Sequence, residues 1–195
     1  MIEHDSLNLA LLGAGAAIAG GVLSGGFQLL LSWLTRPQLK LNFDPDIDKS
    51  EVEWGGDFLF NGVLVRVSLT NNGFRAAKNC SVFVTSLTTQ HATGTTKTSF
   101  AGSRQLPWAG WTFKARALHK GITFYVDLAR VSKASSGWQF TFKERRASDK
   151  KLEEKTGIYR FHIVAVADNA KPTNLRVDID YNGDWKNLRA FVPSK

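Results

Sequence analysis

Two hydrophobic patterns divide the chain. From residue 37 onward the period is two. Val63, Val65, Val67 and Leu69 alternate with Leu64, Arg66 and Ser68, while Val82, Val84 and Ser86 alternate with Phe83, Thr85 and Leu87. Successive side chains of a strand point to opposite faces, so each stretch predicts a strand with one buried side. The segments beginning at Leu39, Ile122, Gly137, Tyr159, Leu175 and Leu188 read the same way, with Asn, Gly, Pro or charged clusters between them. No helical period follows residue 36, apart from a short turn expected within 148–157. Seven to nine short strands without strand–helix alternation predict a mainly β fold, an antiparallel β-sandwich.

The second pattern is a continuous one. From Ser6 to Thr35 there is no charged residue. A membrane-spanning helix needs about 20 apolar residues, so 7–34 is predicted to be a single transmembrane helix. The expected organisation is a short N-terminal tail over 1–6, a transmembrane helix over 7–34 and a β-sandwich over 35–195. Gly13, Ala17, Gly21 and Gly25 recur every four residues and would share one helix face. Small residues at that spacing let helices approach closely in lipid, which marks them as a candidate self-association stripe and the chain as a candidate homo-oligomer. Trp33 stands near the end of the run, where interfacial aromatics belong.

Two other readings of this segment fail on particular residues. Gly13 and Gly15 begin a dinucleotide-binding fingerprint, but Ile18 takes the place of its third small residue, and no acid follows until Asp44. A cleaved signal peptide would open with positive charge and hold a shorter apolar core, whereas this chain opens with Glu3 and Asp5.

Charge then suggests a topology. The N-terminal flank has no Lys or Arg, and the C-terminal flank has Arg36, Lys40 and Lys49. Bases favour the cytoplasmic side, so the N-terminus is expected outside and the sandwich at the cytoplasmic face of the inner membrane. The single cysteine, Cys80, agrees with a reducing compartment. The whole chain carries +8; residues 1–36 hold Arg36 against Glu3 and Asp5, so the remainder carries +9. Anionic lipid is a natural partner for that charge, with Arg36, Lys40, Arg145, Arg146, Lys150 and Lys151 as candidate contacts. No nucleic-acid motif accompanies the charge, and no nucleic-acid partner is expected.

The stretch 64–84, LVRVSLTNNGFRAAKNCSVFV, joins a strand, an Asn-Asn-Gly turn, small residues and a second strand. It resembles the core of bacterial immunoglobulin-like domains of the CARDB type, modules related to cell adhesion. The resemblance covers about 21 residues. It implies an immunoglobulin-like sandwich and an interaction role, and it brings no catalytic residues. Members of that family are commonly extracellular, at odds with the cytoplasmic topology that the flanking charges suggest.

Candidate chemistry is sparse. Asp178, Asp180, Asn182 and Gly183 match the start of a calcium loop, but Arg189 stands where a bidentate Glu is needed. Asn182-Gly183 is read instead as a tight hairpin turn. The acids of 44–53 fail the same test, with Lys49 in place of the turn glycine. His4, His91, His119 and His162 are scattered and lack zinc spacing, and a structural role is expected for His162. Cys80 reads as a small apolar core residue. No catalytic, metal-ligating or cofactor-binding residue is singled out, and no cofactor is expected. Trp108 and Trp111 are expected to cap the core, with a partner-docking patch as the alternative. The leading functional expectation is a non-enzymatic, single-pass membrane protein presenting a sandwich to a protein partner. An oligomerising effector that perturbs the bilayer through its glycine-rich helix is the second, and an unrecognised enzyme the third.

Overall fold

The structure is a computed structural model that describes residues 25–54, 60–90, 96–110, 112–132, 138–143 and 156–193. The chain divides into two compact units, Met1–Arg36 and Pro37–Lys195.

In the first unit, residues 25–34 are helical. Its last turn closes through Thr35 N donating to Leu31 O, and Pro37, which cannot continue a helix, follows. Most of the expected span, including Gly13, Ala17 and Gly21, lies outside the described residues. Among the described residues no helix is long and apolar enough to cross a membrane.

The second unit is mainly β, built from two antiparallel sheets. Eleven strands occur among the described residues: β1 (Leu39–Asn42), β2 (Lys49–Trp54), β3 (Phe60–Asn71), β4 (Ala77–Gln90), β5 (Thr96–Gln105), β6 (Arg116–Leu118), β7 (Thr123–Ser132), β8 (Trp138–Phe140), β9 (Gly157–Ala167), β10 (Ala170–Tyr181) and β11 (Arg189–Phe191). The first sheet runs β1-β3-β7-β8, with β2 also on β3; the second runs β11-β10-β9-β4-β5, with β6 also on β4. Val65, Val67, Leu69, Val126 and Leu128 of the first sheet share one core with Val84, Leu87, Phe161, Ile163, Val177 and Ile179 of the second.

Three strands exceed the sequence expectation. β2, β5 and β6 carry mixed or polar sequences without clean alternation, so periodicity had nothing to report there. The alternation predicted for 82–87 also breaks. Val82 and Val84 face the core, but so do Leu87 and Thr89, because the pairing of β4 with β9 slips between Val84 and Ser86. A bulge adds one residue to a strand and reverses its phase. Asn182-Gly183 does not make a two-residue hairpin. β10 reaches β11 through a 3-10 turn, Trp185–Asn187, capped by the Asp184 carboxylate accepting from Lys186 N.

The two sheets are joined at a corner. Leu106 N donates to Val82 O in the second sheet; Pro107 O then accepts from Asp127 N, and Ala109 N donates to Tyr125 O, in the first. One segment thus pairs with both sheets in succession, a way for sandwiches to close their edges. The expected turn within 148–157 falls largely outside the described residues.

Candidate interaction surfaces

A densely hydrogen-bonded part of the sandwich is the end at which residue 37 begins the second unit. Asn71, fully buried at the end of β3, organises it. Its Oδ1 accepts from Gln38 N and Gly73 N, each at 3.0 Å. Its Nδ2 donates to Arg75 O at 2.7 Å and Leu118 O at 2.9 Å. An amide side chain has two donors and two acceptor lone pairs, and here all are used. The backbone of Asn71 also accepts from Gly121 N, where Gly121 takes the positive φ of 73° that the turn into β7 requires.

A second asparagine ties the neighbouring loop in. Asn169 Oδ1 accepts from Lys78 N, and its Nδ2 donates to Ala76 O. Asp168 N donates to Lys78 O, and Asn79 Nδ2 donates to Asp168 Oδ2 at 2.6 Å. Residues 38, 71–79, 118–121 and 168–169 therefore form one cross-linked platform.

That platform exposes apolar and basic side chains together. Phe74 is 70% exposed and Ile122 46% exposed. The Lys120 ammonium lies 3.9 Å from the Phe74 ring centroid, a cation–π contact. Arg75, Lys78, His119 and Lys171 are also exposed, with Asp168 as the nearby acid. None of these was singled out by sequence reasoning. The signal available was a Phe directly after the Asn-Asn-Gly turn, a position with no alternating neighbour to bury it.

Elsewhere among the described residues, two clusters of ionisable groups are paired on the two sheets. On the first sheet Arg66 Nε donates to Asp127 Oδ1 at 2.8 Å, across a cross-strand pair. Asp127 is fully buried, and its Oδ2 has no hydrogen-bond partner among the described residues; neither has Oδ1 of the buried Asp48. Asp48 Oδ2 accepts from Asp44 N, and Asp48 O from Arg66 N. Burial is the main cause raising both carboxyls above their ordinary range, and Arg66 partly offsets it. On the second sheet Asp178 is shared by two guanidiniums. Arg160 reaches both its oxygens at 2.9–3.1 Å, and Arg176 reaches Oδ1 at 3.3 Å. Asp178, the first residue of the rejected calcium loop, is thus engaged by cations.

The remaining sequence candidates fall out as follows. Trp108 is 2% exposed and caps the core, its Nε1 donating to Lys114 O and its ring meeting Phe124 edge-on under Arg116. Its ring is therefore no docking patch, since the core has taken the surface a partner would need. Trp111, Arg145, Arg146, Lys150 and Lys151 lie outside the described residues. Arg36 and Lys40 are exposed, as is Gly25 on the helix. His162 points outward from β9 and is exposed, opposite Arg176, rather than packed inside. Cys80 is fully buried, which pushes its thiol up and away from nucleophilic use. Among the described residues no three His, Cys, Asp or Glu side chains are grouped to hold a metal.

No family model and no curated protein matches the chain. Among solved structures it has a likeness to the solution structure of a protein provisionally named a late embryogenesis abundant (LEA) protein. The identity is 16%, the TM-score is 0.34, and the match covers 90% of this chain and 91% of that one.

Proposed function

We propose that this chain is a single-pass, membrane-anchored β-sandwich that serves as an interaction module for a protein partner, with residues 7–34 as the anchor. The observation that supports it most is the state of the helical segment 25–34. Phe27, Leu29, Leu30, Leu31, Trp33 and Leu34 are all exposed and cover roughly 200° of the helix surface at 3.6 residues per turn, leaving one stripe to Gly25, Gln28, Ser32 and Thr35. An exposed apolar face that wide belongs against other protein or against lipid. Its hydroxyls need no water: Ser32 Oγ donates to Leu29 O and Thr35 Oγ1 to Leu31 O. Internal satisfaction of polar groups is what lipid demands.

The sandwich is taken to be immunoglobulin-like, on its two antiparallel sheets and the 64–84 segment, and to lie at the cytoplasmic face, on the flanking Arg36, Lys40 and Lys49. The reading makes two demands. External protease on intact cells should spare 40–195. A chain whose residues 1–36 are replaced by an unrelated span should capture the same crosslinked partner. Digestion without lysis removes the cytoplasmic assignment, and loss of the partner on replacing the span removes the assignment of binding to the sandwich.

A further inference from the structure

We propose that the platform carrying Phe74, Lys120 and Ile122 rests on the bilayer surface, with its basic side chains against the phosphates of anionic phospholipids. The inference builds on the anchoring proposed above. Three observations converge on it.

The first is covalent reach. The helical segment runs to residue 34, and Gln38 is already bonded into the platform through Asn71 Oδ1 and through Asn72 N donating to Gln38 O. Four residues span at most about 14 Å of extended chain. With 7–34 in the membrane, Gln38 itself cannot stand further than that from the end of the span. The interfacial layer is itself roughly 5–8 Å thick on each side of the hydrocarbon.

The second is chemistry. Arg75, Lys78, His119, Lys120 and Lys171 are exposed, and among the described residues of the segments that make up the platform Asp168, whose Oδ2 accepts from Asn79, is the one acid. That balance complements anionic headgroups. Phe74 supplies an aromatic ring of the kind that settles at the interface, and Lys120 sits on it with an ammonium able to reach phosphate.

The third is rigidity. Asn71 and Asn169 clamp the loops from beneath with buried amides, so Phe74 is held out rather than free to fold back onto the core. Holding a large apolar side chain 70% exposed on a braced loop is costly in water and favourable at a lipid surface.

The test uses the full chain reconstituted in phosphatidylcholine vesicles with or without phosphatidylglycerol. An environment-sensitive fluorophore is placed at Asn72→Cys, beside Phe74, or at Gln90→Cys, at the other end of β4 and roughly 40 Å away at 3.3 Å per strand residue. Native Cys80 is buried and escapes labelling. Quenchers attached near the lipid headgroup should extinguish most of the emission at 72 and leave 90 unchanged. The effect should strengthen with phosphatidylglycerol and be lost when Phe74→Ser and Lys120→Glu are added. Alkaline carbonate extraction of the same vesicles reports separately on the anchor. Quenching confined to 72 upholds the lipid contact whether or not carbonate releases the chain. Equal emission at 72 and 90 overturns it, even in chains that resist carbonate.

Discussion

Leu29 and Phe161 are both large apolar side chains, and they meet opposite fates. Phe161, on β9, is fully buried and meets Phe140 edge-to-face at 5.9 Å. Leu29, on the helical segment, is 72% exposed. The buried side chains of the sandwich share one core drawn from both sheets, whereas the large apolar side chains of the helical segment are exposed. The sandwich supplies its own solvent-free interior. On the anchoring proposed above, lipid supplies one to the N-terminal segment. Stability and attachment should therefore separate cleanly, and substitutions in one region should leave the property of the other intact.

The largest effect expected is in the core. Phe161→Ala should lower sandwich stability by about 4 kcal/mol through lost burial and the cavity left behind. Urea unfolding followed by tryptophan fluorescence reads it, and the chain should still sediment with membranes. Next is the ion pair on the first sheet. Asp127→Ala strips Arg66 of its buried partner beside the bulge of β7, where Val65 pairs Ala129 and Arg66 pairs Asp127. The expected loss is about 2 kcal/mol, from the charged hydrogen bond to Arg66, whose side chain is 23% exposed and so partly solvated once alone. Asp127→Asn should cost less, because an amide oxygen can still accept from Arg66 Nε.

The same two carboxyls predict a pH dependence. Burial raises Asp48 and Asp127 above 3.8, so the folded state holds their protons more tightly than the unfolded chain does. Their stabilising contribution is complete below about 3.8 and is lost as pH rises through their folded values. Urea unfolding of the wild type across a pH series should show this loss. Asp48→Asn with Asp127→Asn should flatten that part of the profile, and an unchanged slope would assign it to other groups. The smallest effect on folding belongs to the platform. Phe74→Ser touches no core contact and should shift stability by less than about 0.5 kcal/mol. If it destabilises the sandwich strongly, Phe74 is a structural residue and not a surface one.

Much of the sandwich was legible because its central strands are simple. Val63, Val65, Val67 and Leu69 all face the core as their alternation requires, and β9 and β10 lie where their β-branched runs predict. Edge strands were not legible: β5, reading TKTSFAGSRQ, has no apolar face to announce itself. Phase was legible only up to a bulge, so Ser86 was placed with Val82 and Val84 although Leu87 takes up the core side beyond it. The exposed platform stayed hidden for a different reason. It is assembled from residues 38, 71–79, 118–122 and 168–169, and what joins them is the amide bonding of Asn71 and Asn169, which no local pattern encodes. Trp108 lies buried, in keeping with the expectation that it caps the core.

The proposed division between a self-sufficient sandwich and a lipid-anchored segment is tested most directly by alkaline carbonate extraction of membranes bearing the full chain. Beside it stands Ala19→Asp, which puts a charge in the middle of 7–34 at a cost of about 3 kcal/mol for insertion. The wild-type chain should remain in the pellet, and Ala19→Asp should shift to the supernatant with the urea midpoint of its sandwich unchanged. Recovery of the wild-type chain in the supernatant, folded and monodisperse, would contradict the anchor.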